Sequence, residues 1–339
     1  MDNVFPENTP VLVTGGAGFI GSHLVDFLLE RGHKVAILDD LSTGSRANIS
    51  HVVDHPRCRF VEGTVLDWDL VNDLVGEAGL VFHLAAVVGV KNVVENPRKG
   101  IEVNVGGTEN VLRAASRCRA RVVLASSSEV YGVSREIPFM EDGPRVLGPT
   151  QIQRWSYASS KALDEHLGFT YAADGLPVCA VRYFNAYGPR IDESGYGSVI
   201  ARFMTQTFRG EPLTLYGDGN QTRSFTYVSD AVVGTYLAGT HPAAAGQVFN
   251  IGSGVETSIR ELAVEICRQI GIDPVFSYVP FAEVYGPAFQ DIYRRVPSIE
   301  KARNLLGFQP QVNLPDGLAK TIAWARQNYI SANNVPDKK

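Results

Sequence analysis

Tyr157-Ala158-Ser159-Ser160-Lys161 places a phenol four residues before an ammonium. On a helix that spacing puts both groups on one face. A neighbouring ammonium lowers a phenol's pKa, and the phenolate is then a usable base near neutral pH. Upstream lies Ser126-Ser127-Ser128-Glu129-Val130-Tyr131-Gly132. A serine there can share a substrate hydroxyl's proton with the tyrosine. A second cluster is Thr14-Gly15-Gly16-Ala17-Gly18-Phe19-Ile20-Gly21. Gly15, Gly18 and Gly21 allow a tight turn and let a helix N-terminus approach a pyrophosphate, whose charge the N–H groups and helix dipole stabilise. Asp39 ends the next apolar run. An acid there accepts hydrogen bonds from adenosine ribose hydroxyls and repels a 2′-phosphate, so the set points to NAD over NADP. Lys34 and Arg46 are the cations that would soften this exclusion.

The elements around these residues alternate. Apolar runs at Pro10–Thr14, Lys34–Asp39, Arg59–Glu62, Leu80–Leu84, Arg121–Ala125 and Val178–Arg182 read as strands. Helical periodicity covers Phe19–Arg31, Asn104–Arg117 and Ser156–Ala173. The strands are continuous rather than alternating, as strands buried on both faces are, so the first half predicts a doubly wound α/β parallel sheet. The serine run then sits at a strand's C-terminal end, where such sheets place their sites. Beyond Tyr183 the pattern is turn-rich, with helices at Val199–Arg209, Ser258–Ile270 and Pro315–Gln327. Val228–Ala238 and Val248–Ile251 read as a helix and strand returning to the first unit.

The 339 residues predict about two units at roughly 150 residues each. A hydrophobic share of 45% excludes wholesale disorder, and a net charge of -5 gives no basic surplus for nucleic acid. Neither a membrane span nor a signal peptide is visible, so a cytoplasmic protein is expected. Cys58, Cys118, Cys179 and Cys267 lack CxxC spacing, and the seven histidines lack metal-ligand spacing, so no metal is expected. His83, inside an apolar run, reads as a hydrogen-bonded core residue. The arginines from Arg113 to Arg121 read as a solvated helix end.

TGGAGFIG (Thr14–Gly21), HLAA (His83–Ala86), SSSEVYG, YxxxK, FNAYGPR (Phe184–Arg190) and Gly210–Asp230 together resemble the extended short-chain dehydrogenases/reductases, the NAD-dependent epimerase/dehydratase family of nucleotide-sugar enzymes. The resemblance implies a Rossmann-type NAD-binding domain over 9–184, joined by 226–252. It implies a smaller, loop-rich nucleotide-sugar-binding domain over 185–330, a UDP-sugar as the favoured substrate, and a homodimer through the Asn104–Arg117 and Ser156–Ala173 helices. It implies that Tyr157 takes the sugar 4-OH proton while the C4 hydride passes to NAD, with Ser127 orienting the hydroxyl and Lys161 on the nicotinamide ribose. Ser128 and Glu129 complete the catalytic set. The cofactor set is Gly15, Gly18, Phe19, Ile20, Gly21, Asp39, Asp40, Thr64, Val65, Leu84, Ala85, Ala86 and Asn104 with Tyr157 and Lys161; Thr64 stands where the family usually has an aspartate. Asn185 and Arg223 are implied diphosphate contacts.

The fate of the 4-keto sugar divides the family. Ser128 stands where similar 4,6-dehydratases carry an aspartate acid, and serine is a poor acid at neutral pH, which weakens the dehydratase reading. Ser-Glu-Val-Tyr-Gly, Arg154-Trp155-Ser156-Tyr157, Gln290-Asp291 and Arg295-Val296-Pro297 resemble UDP-glucuronate decarboxylases, with Arg154, Arg294 and Arg295 as candidate carboxylate partners. Val87–Asn92, the absence of a tyrosine at Val93 and the Asp40–Gly44 loop look more like 4-epimerases. The reading is a NAD-dependent nucleotide-sugar 4-epimerase, with a UDP-glucuronate decarboxylase as the alternative. A non-catalytic NAD sensor is a third reading, disfavoured by the intact Tyr157/Lys161 pair.

Overall fold

The computed structural model describes residues 6, 8–88, 96–192, 198–285 and 292–332. In chain order the first elements are β1 Pro10–Thr14, α1 Phe19–Glu30, β2 Lys34–Asp39, β3 Cys58–Glu62, α2 Trp68–Gly76 and β4 Leu80–His83. Helix α3 Pro97–Ile101 runs through a π turn, Glu102–Gly106, into α4 Gly107–Cys118. Then come β5 Arg121–Ser127, α5 Ser156–Ala173 and β6 Val178–Tyr183. The remainder is β7 Ala186–Tyr187, α6 Val199–Phe208, β8 Leu213–Tyr216, β9 Thr222–Arg223, β10 Thr226–Tyr227, α7 Val228–Thr240, β11 Val248–Ile251, β12 Thr257–Ser258, α8 Ile259–Ile270, β13 Phe276–Val279, α9 Phe281–Tyr285, β14 Arg294–Arg295, α10 Glu300–Leu306 and α11 Leu314–Ala332.

Seven parallel strands form one sheet in the order β11-β6-β5-β4-β1-β2-β3. The order reverses between β1 and β4, and such a switch point opens a crevice at the strands' carboxyl ends. With helices on both faces this is a Rossmann-type doubly wound fold. Val11, Leu12 and Val13 are all buried, which explains why β1 is apolar without alternation. Strand β11 extends the sheet beyond β6, and α7 lies against α1. Around the sheet's end, α6, α8 and α11 pack on one another, and β8–β13, β7–β10 and β12-β9-β14 form small separate sheets. One apolar core joins Val11 and Phe82 to Phe203, Ile266 and Leu318.

Two elements differ from the sequence expectation. Helix α2 carries no long periodic signal, but Asp67 caps it by accepting the Leu70 N–H, and Val71, Leu74 and Val75 bury its inner side. The expected helix at Asn104 starts earlier, at Pro97, because Gly100, Gly106 and Gly107 interrupt the pattern without ending the helix. Of the Val87–Asn92 stretch only Val87 and Val88 are described; 89–95, which includes Val93, and Gln290-Asp291 lie outside the described residues. No helix among the described residues is long and apolar enough to cross a membrane.

Candidate active site

A cleft of about 630 Å³ follows the carboxyl ends of β1, β2, β4, β5 and β6. Its first wall is the glycine loop. Gly15 has φ +72°, and a Cβ there would come within 2.7 Å of the Ala85 amide nitrogen. A Cβ on Gly21 would collide with the Gly15 carbonyl. Gly18 caps α1 without a side-chain hydrogen bond, so the first-turn N–H groups have no side-chain acceptor. Phe19 and Ile20 of that turn line the cleft. This cradle fits a dinucleotide pyrophosphate. Gly21→Ala should cost about 1–3 kcal/mol of stability by overpacking and strip bound NAD, read as a lower Tm and a protein without cofactor.

Asp39 sits at the far end of the cradle. Its Oδ2 accepts the Ala17 N–H at 2.9 Å and its Oδ1 the Leu41 N–H at 2.8 Å. Burial pushes its carboxyl up and these two bonds oppose the rise. The side chain therefore braces the glycine loop as well as lining the cleft. Asp40 lines the same mouth, and its carboxylate accepts the Ser42 N–H. Arg46 is tied to Glu62, the register partner of Asp39, at 2.6 Å, whereas Lys34 begins β2 at the opposite end of the strand.

Val65, Leu84, Ala85 and Ala86 line the cleft, whereas Thr64 and Asn104 do not. Thr64 Oγ1 accepts the Leu66 N–H ahead of α2. Asn104, in the π turn, accepts the Val87 N–H at 2.8 Å and donates to Ser160 Oγ at 3.1 Å. It fixes the loop after β4 against α5 from behind, while Val87 and Val103 form the wall itself. Both side chains hold loops that border the cleft, next to the lining residues Gly63, Val65 and Val103.

Ser127, Ser128, Glu129, Tyr157 and Lys161 meet in the cleft. Ser127 ends β5 and accepts the Glu129 N–H at 3.2 Å, which starts a 3-10 turn, Ser128–Tyr131, pointing Glu129 inward. Burial raises the Tyr157 pKa, Glu129 and Asp164 raise it further, and the hydrogen bond with Ser127 opposes them. The expected lowering by Lys161 is not what the structure shows. Asp164, at i+3 on α5, takes the ammonium, with Oδ2 3.1 Å from Nζ. His83 is a buried strand residue with its Nδ1 2.8 Å from Thr14 Oγ1 and its Nε2 3.1 Å from Thr108 Oγ1. Burial and the Lys161 charge press its pKa down to about 3, so it is neutral.

Glu129 forms the second centre. Its Oε2 lies 2.6 Å from Arg154 Nη1 and its Oε1 2.7 Å from Arg295 Nη1, and all three side chains line the cleft. Arg154 comes from the 3-10 turn Gln153–Trp155 before α5, Arg295 from β14. Burial would raise the Glu129 carboxyl, but Arg295, Arg154 and the more distant Arg223 together bring it down to about 2. A depressed folded pKa adds stability above the unfolded value and loses it as pH falls through the folded one. The Tm gap between wild type and Glu129→Gln should therefore persist down to about pH 4.5 and close near pH 2. Beneath the turn, Arg182 pairs with Glu165 at 2.7 Å and donates to Tyr131 Oη at 2.8 Å, and Tyr131 Oη donates to Asn250 at 2.7 Å. This buried network makes the floor rigid.

Of the remaining candidates, Asn185 lines the cleft with φ +36°. Arg294 faces outward and holds Glu256 through two bonds of 2.8 Å. Arg223 donates to the carbonyls of Thr222 and Ile292 and does not line the cleft. Arg294 and Arg223 thus brace the β12-β9-β14 sheet.

The glycine cradle, the Tyr157–Lys161 pair and the Glu129 cluster thus share one cleft. The chain belongs to the NAD dependent epimerase/dehydratase family, whose model matches residues 11–252. It is 43% identical over 316 residues to a UDP-N-acetyl-alpha-D-glucosaminuronate decarboxylase of Bacillus cytotoxicus, covering 93% of this chain and 97% of that protein. It is 38% identical over 319 residues to a UDP-glucose 4-epimerase of Mycolicibacterium smegmatis, covering 93% and 98%. A solved UDP-glucuronic acid 4-epimerase of Bacillus cereus, in complex with UDP-glucuronic acid and NAD, superposes with a TM-score of 0.84 at 29% identity, covering 94% and 99%. NAD is the cofactor.

Proposed function

We propose that the protein is a UDP-uronate decarboxylase: it oxidises C4 of the sugar, releases C6 as CO2 and reduces C4 again. The observation that carries this reading is the buried Arg154–Glu129–Arg295 cluster in the cleft wall. Both guanidiniums line the cleft beside Glu129, and their N–H forks match a uronate's carboxylate, a group that a neutral hexose lacks. This shifts the weight from the 4-epimerase reading to its alternative.

NAD held along Gly15, Gly18, Gly21 and Asp39 would supply a reversible hydride acceptor at C4. Tyr157 Oη takes the 4-hydroxyl proton, with Ser127 holding the hydroxyl. Once C4 is a ketone the substrate is a β-keto acid. The C5–C6 bond breaks, its electron pair becomes the C4–C5 enolate, and CO2 departs. Arg295 and Arg154 hold the carboxylate for this step. Glu129, fixed as an anion beside it, favours its conversion to neutral CO2. A solvent proton adds to C5, with Ser128 lining that wall, and Tyr157 returns its proton to O4. Lys161 and the glycine loop hold the cofactor, and Asn185 faces the diphosphate.

A second reading, 4-epimerisation of the same substrate class, uses the same base. The epimerase relatives support it. We further propose a cytoplasmic homodimer. Its four cysteines are free, which fits a reducing compartment. Exposed Ile101 and Leu163 lie on α3 and α5, beside the proposed helix interface. The function is tested by assaying UDP-glucuronate and UDP-N-acetylglucosaminuronate beside their neutral hexose counterparts. CO2 release from a uronate supports the proposal; turnover of the neutral sugars alone overturns it.

A further inference from the structure

We propose that Asp164 is a positioning residue that holds the Lys161 ammonium and so governs how readily Tyr157 gives up its proton. The inference rests on Tyr157 being the base and is independent of whether CO2 leaves. Lys161 and Asp164 are both only 3% exposed and meet at 3.1 Å, one turn apart on α5. Thr108 of α4 faces the same carboxylate. Its hydroxyl is 3.1 Å from His83 Nε2, and His83 Nδ1 is 2.8 Å from Thr14, which also accepts the Ala85 N–H at 3.3 Å. The ammonium is thus anchored through Asp164, Thr108 and His83 to the last residue of β1, under the glycine loop. Asp164, Thr108, His83 and Thr14 are all buried, so this chain fixes geometry and does not conduct protons to solvent.

The charges facing the phenol separate by element. From the β5 turn comes Glu129, compensated by Arg154 and Arg295. From α5 itself come Lys161 and Asp164, with Glu165 beside Asp164. Neutral His83 adds nothing from β4. An ammonium shared with a carboxylate stabilises a phenolate less than an unshared one, and the carboxylate's own charge opposes ionisation. Both effects have the same sign: Asp164 keeps Tyr157 protonated to higher pH. Burial raises the Asp164 carboxyl, while Lys161 and Thr108 oppose the rise.

The test is a phenolate titration of the NAD-loaded protein by near-ultraviolet absorbance, with the Tyr157→Phe spectrum subtracted in each background. Asp164→Asn should lower the Tyr157 midpoint by about 0.5–1.5 pH units, and the acid limb of kcat/KM should move with it. Asp164→Ser is the second variant, should the amide not fold; it removes the same charge and should move the midpoint in the same direction. A midpoint that stays or rises, even with a lowered Tm, overturns the inference and leaves Asp164 a purely structural residue. The titration needs no turnover, so its failure is distinct from failure of the decarboxylase reading, which product analysis decides.

Discussion

Tyr157→Phe should lower turnover by about 10²–10⁴-fold while NAD stays bound and the fold is unchanged. In the proposed reaction the phenol takes the proton of the substrate hydroxyl, with Ser127 hydrogen-bonded beside it. Phenylalanine preserves the ring's packing and removes only Oη. The cofactor cradle is built from Gly15, Gly18, Gly21 and Asp39, none of which touches that oxygen, so NAD content measured on the purified variant should equal the wild type's. Both readings of the reaction start with this proton transfer, and both collapse if the variant turns over at full rate with sugar correctly bound.

Arg295→Met should produce the second large effect and is selective for the proposed substrate class. Methionine keeps much of the side chain's volume but strips Glu129 Oε1 of its 2.7 Å partner. Breaking one side of a buried ion pair costs on the order of 3–5 kcal/mol, because the remaining charge is left uncompensated. Glu129 retains Arg154 at 2.6 Å, which moderates the fall in stability. The substrate carboxylate would lose one of its two proposed guanidinium partners and keep only Arg154. kcat/KM for a UDP-uronate should drop by about 10²–10³-fold, against a much smaller change for a neutral UDP-hexose. An equal loss on both sugars would place Arg295 in the scaffold rather than on the substrate.

The parts legible in the sequence are those specified locally. Continuous apolar runs marked the sheet because each strand is covered on both faces. The glycine loop and the Tyr157–Lys161 spacing carry their geometry within eight residues or fewer. Asp164 was equally local, yet it reads as an ordinary polar residue on an α5 face until burial shows what it holds. The Arg154–Glu129–Arg295 cluster draws on three separate segments, so its residues could be proposed as candidates but not as partners. Arg294 and Arg295 show the limit most sharply. Successive strand side chains point to opposite faces, so only one of the pair can enter the cleft, and which one depends on the register of β14 against β9. The side chains of Thr64 and Asn104 hold the loops after β3 and β4, a tertiary role that their motif positions do not reveal.

Loss of C6 after oxidation at C4 is read from a turnover of UDP-glucuronate in D₂O, followed by mass and NMR with no NAD added. The expected product is a UDP-pentose lighter by CO2, carrying one deuterium at C5 and none at C4, because the C4 hydride stays within the enzyme. A product of unchanged mass with inverted C4 and no carbon-bound deuterium would contradict it and make the protein a uronate 4-epimerase.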